Sequence, residues 1–316
     1  MKATDGIVDL TITIVNTNNR VLLGRCLDTI ATSVGALSHE VIVVDNASTD
    51  GSADLLHSRY PHVKVIRNPA RDGYGRSHNR AIAASTGTHV LILNEDMEML
   101  GDAVEMMVRK ACTVNDLGVL GCRILNPDKS LQHSCFRAPR LLGELFEAIF
   151  PYTVAFTHSP LRSKMYEWRH DTEREVDIVL GCCMLLPRRT LETVGAFDPE
   201  FYIYSEEHDL CKRARDRGFK VLFTPDAEMI HFGGQTTKHM SLRMALIQLD
   251  SRIRYFRKHH GRLHALLLRA ILVLAAALRL AGWSMLYLLR RGPRALVAGK
   301  LSEYFFSLKF VLGFGR

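Results

Sequence analysis

Residues 40 to 52 read EVIVVDNASTDGS, a β-branched run that ends in Asp45 and passes into a polar turn. Such a run favours a buried strand, and Ser, Thr and Asp are favoured where a helix begins. An aspartate at the carboxyl end of a strand lies where open α/β sheets bind ligands, so Asp45 is a candidate acceptor for a nucleobase N–H or a ribose hydroxyl. The same residues also suit a loop that only starts a helix, and their spacing does not separate the two interpretations.

The same pattern continues on both sides of this stretch. Further β-branched runs alternate with segments of helical periodicity, which indicates an α/β sheet whose first hundred residues or so form a Rossmann-like half. Residues 126 to 175 carry no clear pattern. The predicted strands are 9–15, 40–45, 63–68, 89–94, 118–125, 176–187, 220–225 and 228–232, and the predicted helices are 20–34, 50–59, 74–86, 100–114, 206–217 and 241–260.

Charge and cysteine content limit the class of protein. The chain has 316 residues and 47% hydrophobic content, enough for a full core. Seven cysteines without CxxC spacing predict neither a disulfide framework nor a zinc site. The net charge is +8, but residues 252–316 hold thirteen Lys and Arg and one acidic residue, so the rest of the chain is net negative. This distribution favours an anionic membrane surface as a partner and argues against nucleic acid.

The C-terminal region has the composition of a membrane-associating helix. Residues 264–291 are apolar but interrupted by Arg269 and Arg279, so no uncharged run reaches the roughly 18 residues of a spanning helix. We predict a helix that lies in the membrane interface, with the arginines at headgroup level and Trp283 and Tyr287 near the same depth. A pair of core helices with snorkelling arginines is the alternative.

Two glycines precede the third predicted helix, in RDGYGRSHNR (71–80). Gly73 and Gly75 allow the backbone to approach a ligand closely, and the N–H groups of the following helix favour an anion. The motif departs from the dinucleotide fingerprint GxGxxG, because His78 stands at the third position and the motif follows the third strand. A nicotinamide-dependent dehydrogenase is therefore disfavoured.

The fourth predicted strand ends in a cluster of oxygen ligands. LILNEDMEM (91–99) places Asn94, Glu95, Asp96 and Glu98 directly after apolar residues. Carboxylates at the exit of a buried strand are costly unless a cation neutralises them, and such hard ligands suit Mg²⁺ or Mn²⁺ bridging a diphosphate. Asp96 is the best candidate ligand. Capping of the next helix by the same acids is the alternative.

A second group of acids lies in FYIYSEEHDLCKR (201–213). Glu206 and Glu207 fall in the first turn of a predicted helix, where acids are ordinary structural residues. Set against the preceding aromatic residues in a partly desolvated cleft, such a carboxylate would act as a general base toward an acceptor hydroxyl. His231, in MIHFGGQTT (229–237), leaves a strand into a glycine turn, and a lone histidine there is more often structural than a ligand.

Taken in order, these motifs resemble the family 2 glycosyltransferases of GT-A fold, especially their rhamnosyltransferase-like members. The resemblance covers about residues 9–260, and seven ordered segments are more specific than any one of them. The segments are VDNASTDGS, the stretch from GYG to Asn79, LNED, GCCMLLPR, GAFDPEF, SEEHDLCKR and IHFGGQTT.

The resemblance implies a domain organisation. It predicts an α/β GT-A (Rossmann-like) mixed sheet flanked by helices over residues 1–260, with a nucleotide-binding half at about 1–100 and an acceptor-binding half at about 101–260. Residues 261–316 would then form the basic amphipathic helical tail.

The resemblance also implies which residues bind the sugar donor. Thr17 and Asp45 would contact its nucleoside, and the segment that contains Asp72, Gly73 and Asn79 would close over it.

A metal site is implied as well. Asn94-Glu95-Asp96 matches a donor-binding segment whose usual sequence in the family is Asn-Pro-Asp. Here a glutamate replaces the proline, and the final aspartate is kept. Asp96 and His231 would hold Mn²⁺ or Mg²⁺ as the cofactor, and an imidazole among oxygen ligands favours Mn²⁺.

Glu207 matches the base of the family, which is usually an aspartate. The implied reaction is an inverting transfer of a sugar, possibly rhamnose, from a nucleotide-diphosphate donor to a hydroxyl of a glycan or lipid-linked acceptor. The N-terminus lacks an apolar stretch for a signal peptide, so we expect a cytoplasmic enzyme bound peripherally to the cytosolic face of the membrane. Two alternatives stay open: a sugar nucleotidyltransferase, and a non-catalytic membrane-docked protein that binds nucleotide sugars.

Overall fold

The computed structural model describes residues 8–150, 158–233, 241–289 and 293–313. The chain divides into two compact units. The sheet unit comprises residues 1–138 and 164–238, and the helical unit comprises residues 139–163 and 239–316.

The sheet unit is built on a nine-stranded mixed sheet with strand order β3-β2-β1-β4-β10-β6-β11-β5, and β8 pairs with β11. A separate two-stranded sheet joins β7 and β9. The strands are β1 (Leu10–Asn16), β2 (His39–Asn46), β3 (Lys64–Asn68), β4 (His89–Asn94), β5 (Met97–Met99), β6 (Leu117–Leu125), β7 (Cys135–Phe136), β8 (Arg174–Glu175), β9 (Ile178–Val179), β10 (Cys183–Pro187) and β11 (Lys220–His231).

Helices cover both faces of this sheet, which makes the unit a three-layer α/β structure. Apolar side chains of α1, α2 and α4 pack in one core cluster, and those of α6 and α7 pack in another with part of α3. The helices of the sheet unit are α1 (Arg20–Ser33), α2 (Ser52–Arg59), α3 (Tyr74–Ala83), α4 (Ala103–Thr113), α6 (Arg188–Val194) and α7 (Glu206–Asp216).

The predicted Rossmann-like half is confirmed. Strands β3, β2, β1 and β4 are neighbours and run parallel, so their carboxyl ends meet at one edge of the sheet. The register sets Asn16 opposite Asp45 and Val15 opposite Asn94. The polar residues that follow these strands therefore lie together.

The second half differs from the prediction in three elements. The predicted strand at 176–187 is divided into β9 and β10, and β10 runs antiparallel to β4. The two strands predicted after residue 219 form the single strand β11. The predicted gap between them corresponds to an irregularity in the pairing of β11 with β6, between Thr224 and Glu228. The short strand β5 was not foreseen, because three residues are too few to show a period.

The helical unit contains α5 (Leu141–Ile149), α8 (Ser241–Leu288) and α9 (Arg294–Leu312). Helix α8 is broken at Gly261, whose φ of 87° and ψ of 175° are accessible almost only to glycine. The sequence placed the domain boundary after residue 260, whereas the compact units divide after residue 238 and residues 139–163 join the second unit. The reason is that α5 packs against α8, although the two helices are far apart in the sequence.

An apolar stripe is exposed on α8 after the break. Its members recur at helical spacing on one face, and Leu263 and Leu266 are 66% and 62% exposed. The helix Leu242–Leu288 is long and apolar enough to cross a membrane by length and composition. The exposed apolar residues of the stripe are Leu263, Leu266, Leu267, Leu274, Leu278 and Met285.

The arginines of α8 contact neighbouring helices. Arg269 donates to the Val311 carbonyl oxygen of α9 at 3.2 Å, and Arg279 donates to the Glu147 carbonyl oxygen of α5 at 3.4 Å. Both side chains are half-buried, because they pack against neighbouring helices on the side of α8 away from the exposed leucines.

Candidate active site

The carboxyl ends of β1 and β2 form the first wall of a polar cleft. The Asn16 amide donates to the Asp45 carboxylate at 3.3 Å and to the Ser48 hydroxyl at 3.0 Å. Asp45 is buried and Thr17 is half-buried beside it. The structure therefore brings these two predicted nucleoside-binding residues to one strand edge.

Asp72 is held at the same edge by side chains of β2 and α3. Its backbone N–H donates to the Asn46 amide oxygen at 3.0 Å. Its carboxylate pairs with Arg80 at 2.8 Å and with Arg76 at 3.8 Å. The segment before α3 is therefore anchored to the strand that carries Asp45.

Gly73 joins this segment to the loop before α7. Its φ is 80°, and a Cβ there would lie 2.4 Å from the Tyr202 carbonyl oxygen. The next residue, Tyr74, donates its N–H to that same oxygen at 2.9 Å. No other amino acid fits this position without displacing the loop, so Gly73 connects the two predicted halves of the site.

Asn79, predicted to lie in the segment that closes over the donor, is bound at both ends of its amide by a neighbouring loop. Its amide nitrogen donates to the Phe197 carbonyl oxygen at 2.7 Å, and its amide oxygen accepts from the Phe197 N–H at 2.9 Å. Because both ends of the amide are engaged by one backbone, Asn79 fixes the loop 195–201 against α3.

Backbone strain is concentrated around this cleft. Among the described residues, six other than glycine have positive φ, and four of them follow β1 or β2 or precede α7. Conformations of this kind cost of order 1–3 kcal/mol each and persist where the surroundings impose them, often at functional sites. The four are Asn18, Ala47, Tyr204 and Ser205.

The acid and the imidazole predicted to share a cation lie side by side. Strand β5 pairs antiparallel with the end of β11, so Met97 is opposite His231. The Phe232 N–H also donates to the Asp96 carbonyl oxygen at 3.0 Å. These backbone contacts place His231 Nε2 3.2 Å from Asp96 Oδ1, which confirms the predicted convergence of two residues far apart in sequence.

A chain of hydrogen bonds fixes the His231 ring. Its Nδ1 lies 2.6 Å from the Gln132 amide oxygen, and the Gln132 amide nitrogen donates to the Asn126 amide oxygen at 2.9 Å. An amide oxygen can only accept, so Nδ1 carries the hydrogen and Nε2 faces Asp96. Gln132 thus holds His231 in the tautomer that a metal ligand needs.

The residues around this pair fit a cation. Burial lowers the pKa of His231, but its contacts with Cys182 and with the Asp96 carboxylate raise it to about 11. Without a cation the ring therefore carries a second proton on Nε2, facing Asp96, and a metal ion bound there would take the place of that proton. Asn94 Oδ1 is buried without a hydrogen-bond donor, and the buried Asp96 Oδ1 faces His231 Nε2. Oxygen ligands and one imidazole suit Mn²⁺ or Mg²⁺. No group of three His, Cys, Asp or Glu able to hold a metal occurs in the described part of the chain, so further ligands would come from the Asn94 amide, substrate and water.

Two buried glutamates at the start of α7 are held in different protonation states. Burial and the neighbouring Glu207 raise the pKa of Glu206 well above its ordinary value. Burial would also raise the pKa of Glu207, but the adjacent His208 lowers it below the ordinary value. One oxygen of each carboxyl is buried without a hydrogen-bond partner. Glu207 is therefore the ionised member, as a general base must be.

The segment Gly181–Cys182 connects the base to the cation pair. A Cβ on Gly181 would lie 3.5 to 3.9 Å from three carbons of the Glu207 side chain, which is ordinary van der Waals contact, so the two residues adjoin. Cys182 accepts the Asn94 N–H at its carbonyl oxygen, 3.0 Å away, and its side chain interacts with His231. Glu207 and the pair Asp96–His231 thus lie on either side of one short segment.

Sequence reasoning did not identify Gln132 or Glu206 as functional. Gln132 falls in the stretch without pattern, and only the fold brings it to His231. Glu206 is next to the predicted base, but nothing in the sequence says which of two adjacent acids stays neutral. The end of the motif MIHFGGQTT, from residue 234 onward, lies outside the described residues.

Comparison with solved structures gives the fold. A mannosyltransferase from Pyrobaculum calidifontis, determined in complex with GDP-Man and Mn²⁺, superimposes with a TM-score of 0.58 and 16% sequence identity. The match covers 99% of this chain and 89% of that one. The fold is therefore that of the GT-A glycosyltransferases, as predicted.

Sequence comparison gives the family. The profile of Glycosyl transferase family 2 matches residues 11–192, and the chain belongs to that family and is a glycosyltransferase. The N-acetylglucosaminyl-diphospho-decaprenol L-rhamnosyltransferase of Mycobacterium tuberculosis is 28% identical over 215 residues, which are 62% of this chain and 67% of that protein. Rhamnosyltransferase WbbL of Escherichia coli is 22% identical over 226 residues, 69% of this chain and 81% of that protein.

Proposed function

We propose that the protein transfers a sugar, with inversion, from a nucleotide-diphosphate donor to a hydroxyl of a lipid-linked glycan acceptor. The observation that carries this proposal is the arrangement of an ionised Glu207 and the pair Asp96–His231 on either side of Gly181–Cys182. An inverting displacement needs a base on the acceptor side and a stabilised leaving group on the donor side.

The donor side is formed by the strand ends. Asp45 and Thr17 would bind the nucleoside, and the anchored segment Asp72–Gly73 would lie over it. Asp96 and His231 would hold Mn²⁺ or Mg²⁺, with Asn94 and Glu95 beside them. A cation there supplies the positive charge that the leaving diphosphate needs. These residues bring only one or two negative charges, so the diphosphate itself completes the site.

Glu207 would take the proton of the acceptor hydroxyl. The neutral Glu206 avoids a second negative charge beside Glu207, which would raise the pKa of the base and leave it protonated, unable to take the proton of the acceptor.

The substrates are proposed from the relatives and the C-terminal region. Rhamnose is the sugar of both rhamnosyltransferases named above, and one of them is named for a diphospho-decaprenol acceptor. The exposed apolar stripe of α8 and the basic end of the chain would bind the anionic cytosolic face of a membrane, where such an acceptor resides.

The test uses the purified full-length chain with Mn²⁺ and a panel of nucleotide sugars. Binding is measured by thermal stabilisation, and transfer by product formation, with the anomeric configuration of the product read by NMR. We expect Glu207→Gln to reduce turnover at least about a thousandfold while donor stabilisation persists. Full turnover in this variant, or a product that retains the anomeric configuration of the donor, would refute the role of Glu207 as the base. Release of pyrophosphate would indicate a nucleotidyltransferase. Binding of the donor without any turnover would indicate a non-catalytic protein.

A further inference from the structure

Tyr74 lies where three segments of the cleft meet. It is the first residue of α3 and directly follows Gly73, in the segment predicted to close over the donor. Its backbone N–H donates to the Tyr202 carbonyl oxygen at 2.9 Å, and its hydroxyl donates to the Gly181 carbonyl oxygen at 2.7 Å. This one residue therefore joins the donor segment to the loop before α7 and to the segment that contains Gly181.

The ring of Tyr74 is fixed by its neighbours. It packs edge-on against the His78 ring, with centroids 4.4 Å apart, and against the Phe197 ring at 6.0 Å. Aromatic pairs of this geometry are favourable, so the ring has a defined place from which its hydroxyl reaches Gly181. The hydrogen bond joins residues 107 positions apart in the chain. It therefore sets the distance between α3 and a distant segment of the cleft.

The hydroxyl of Tyr74 acts as a donor and not as an acid. Burial raises the pKa of Tyr74 well above its ordinary value, and the nearby acidic groups of Glu206, Glu207 and Glu95 act in the same direction. The hydroxyl thus keeps its hydrogen under conditions in which Glu207 is ionised, and it donates that hydrogen to the Gly181 carbonyl oxygen. Tyr74 therefore holds the segment without exchanging a proton with a substrate.

The segment that Tyr74 holds adjoins both sides of the site. A Cβ on Gly181 would be in contact with the Glu207 side chain, and the Cys182 carbonyl oxygen accepts the Asn94 N–H at 3.0 Å. A shift of this segment would change the spacing between the base and the cation pair. A misplacement of about 1 Å in an active site can reduce the rate about 100-fold.

We propose that Tyr74 is a positioning residue for the transfer reaction. Its hydroxyl holds Gly181–Cys182 in place, and with that segment the spacing between the base and the cation pair, while its backbone ties the same point to the segment over the donor. The inference rests on the proposed function and adds a residue that acts through its neighbours.

The test compares Tyr74→Phe with Tyr60→Phe in the full-length protein. Tyr60 is the matched control, because its hydroxyl also contacts a glycine carbonyl oxygen, that of Gly24 at 3.0 Å. It stands between α2 and β3, at the edge of the sheet where the parallel strands begin, opposite the cleft. Both variants keep the ring and lose one hydroxyl. A third variant replaces Tyr74 with para-aminophenylalanine, whose amine also donates a hydrogen bond.

Three quantities are measured for each protein. Transfer kinetics give kcat and KM, and thermal stabilisation with Mn²⁺ gives the affinity for the donor. Hydrogen–deuterium exchange of the peptide 178–186 reports whether the segment held by Tyr74 has loosened, and it needs no activity.

We expect Tyr74→Phe to lower kcat about tenfold or more, to leave the donor affinity within about twofold, and to speed exchange in 178–186. Tyr60→Phe should lower only the thermal stability, and para-aminophenylalanine should restore kcat at least in part. Unchanged kcat or unchanged exchange in Tyr74→Phe, or an equal loss of kcat in Tyr60→Phe, overturns the inference. If the wild type transfers no sugar from any donor, the proposed function fails, and the exchange of 178–186 alone decides whether Tyr74 holds the segment.

Discussion

Replacing Gln132 tests whether the His231 ring is held for metal binding. In Gln132→Leu the side chain keeps a similar size, but the acceptor 2.6 Å from His231 Nδ1 is lost. The ring is then free to rotate or to carry its hydrogen on Nε2, where the metal would bind. Partners of this kind are worth about 10- to 100-fold in metal affinity, which corresponds to about 1.4–2.8 kcal/mol. We expect the affinity for Mn²⁺ to fall by that factor.

The assay is a titration with Mn²⁺ in the absence of donor, followed by the electron paramagnetic resonance signal of the free ion. Gln132→Glu is the control, because its carboxylate also accepts a hydrogen bond from Nδ1 of His231. This variant should bind Mn²⁺ at least as tightly as the wild type. Thermal unfolding of both variants excludes loss of structure. Wild-type affinity in Gln132→Leu, together with a large loss in His231→Ala, would refute the positioning role; wild-type affinity in both would refute His231 as a ligand.

Three further changes have expected outcomes. Burial lowers the pKa of His78 to about 3, so between about pH 6.5 and 3 the unfolded chain binds a proton that the folded chain does not. Lowering the pH from 7 to 4.5 should therefore reduce the free energy of unfolding, measured in urea, by about 3 kcal/mol in the wild type and by less in His78→Gln. An equal reduction in both proteins would contradict this prediction. Gly73→Ala places a Cβ against the Tyr202 carbonyl oxygen, so it should lower the free energy of unfolding by about 2 kcal/mol or more and raise KM for the donor. Unchanged calorimetric unfolding and unchanged kinetics would show that the loop moves to accommodate the methyl group. Leu266→Glu should reduce the affinity for anionic vesicles about tenfold or more, whereas Val21→Glu, at a similarly exposed position on α1, should leave it unchanged. An equal loss of affinity in both variants would show that only the change in net charge matters.

The first half of the fold was predictable because its signals are local. Each strand from β1 to β4 is a β-branched run, and each following helix begins in polar residues, so period and capping agree. The parallel pairing then follows from the crossover helices, and with it the meeting of Asp45 and Asp96 at one sheet edge.

The rest depended on contacts that no local pattern encodes. Strand β5 exists because Met97–Met99 pairs with β11, and helix α5 is grouped with the C-terminal helices because it packs on α8. Gln132 shows the same limit at the level of a single residue, because it lies in a stretch without pattern and only the fold brings it to His231.

The ladder between β5 and β11 has a consequence for how the enzyme loads its substrates. Sheet hydrogen bonds set the spacing of the Asp96 and His231 backbones, so the two side chains are already in place before any ligand arrives. Binding of an ion to such a pair would cost the two side chains little conformational entropy. The ion and the sugar nucleotide could therefore bind in either order. A frame of this kind would disfavour ions of unsuitable radius, because it does not adjust to them.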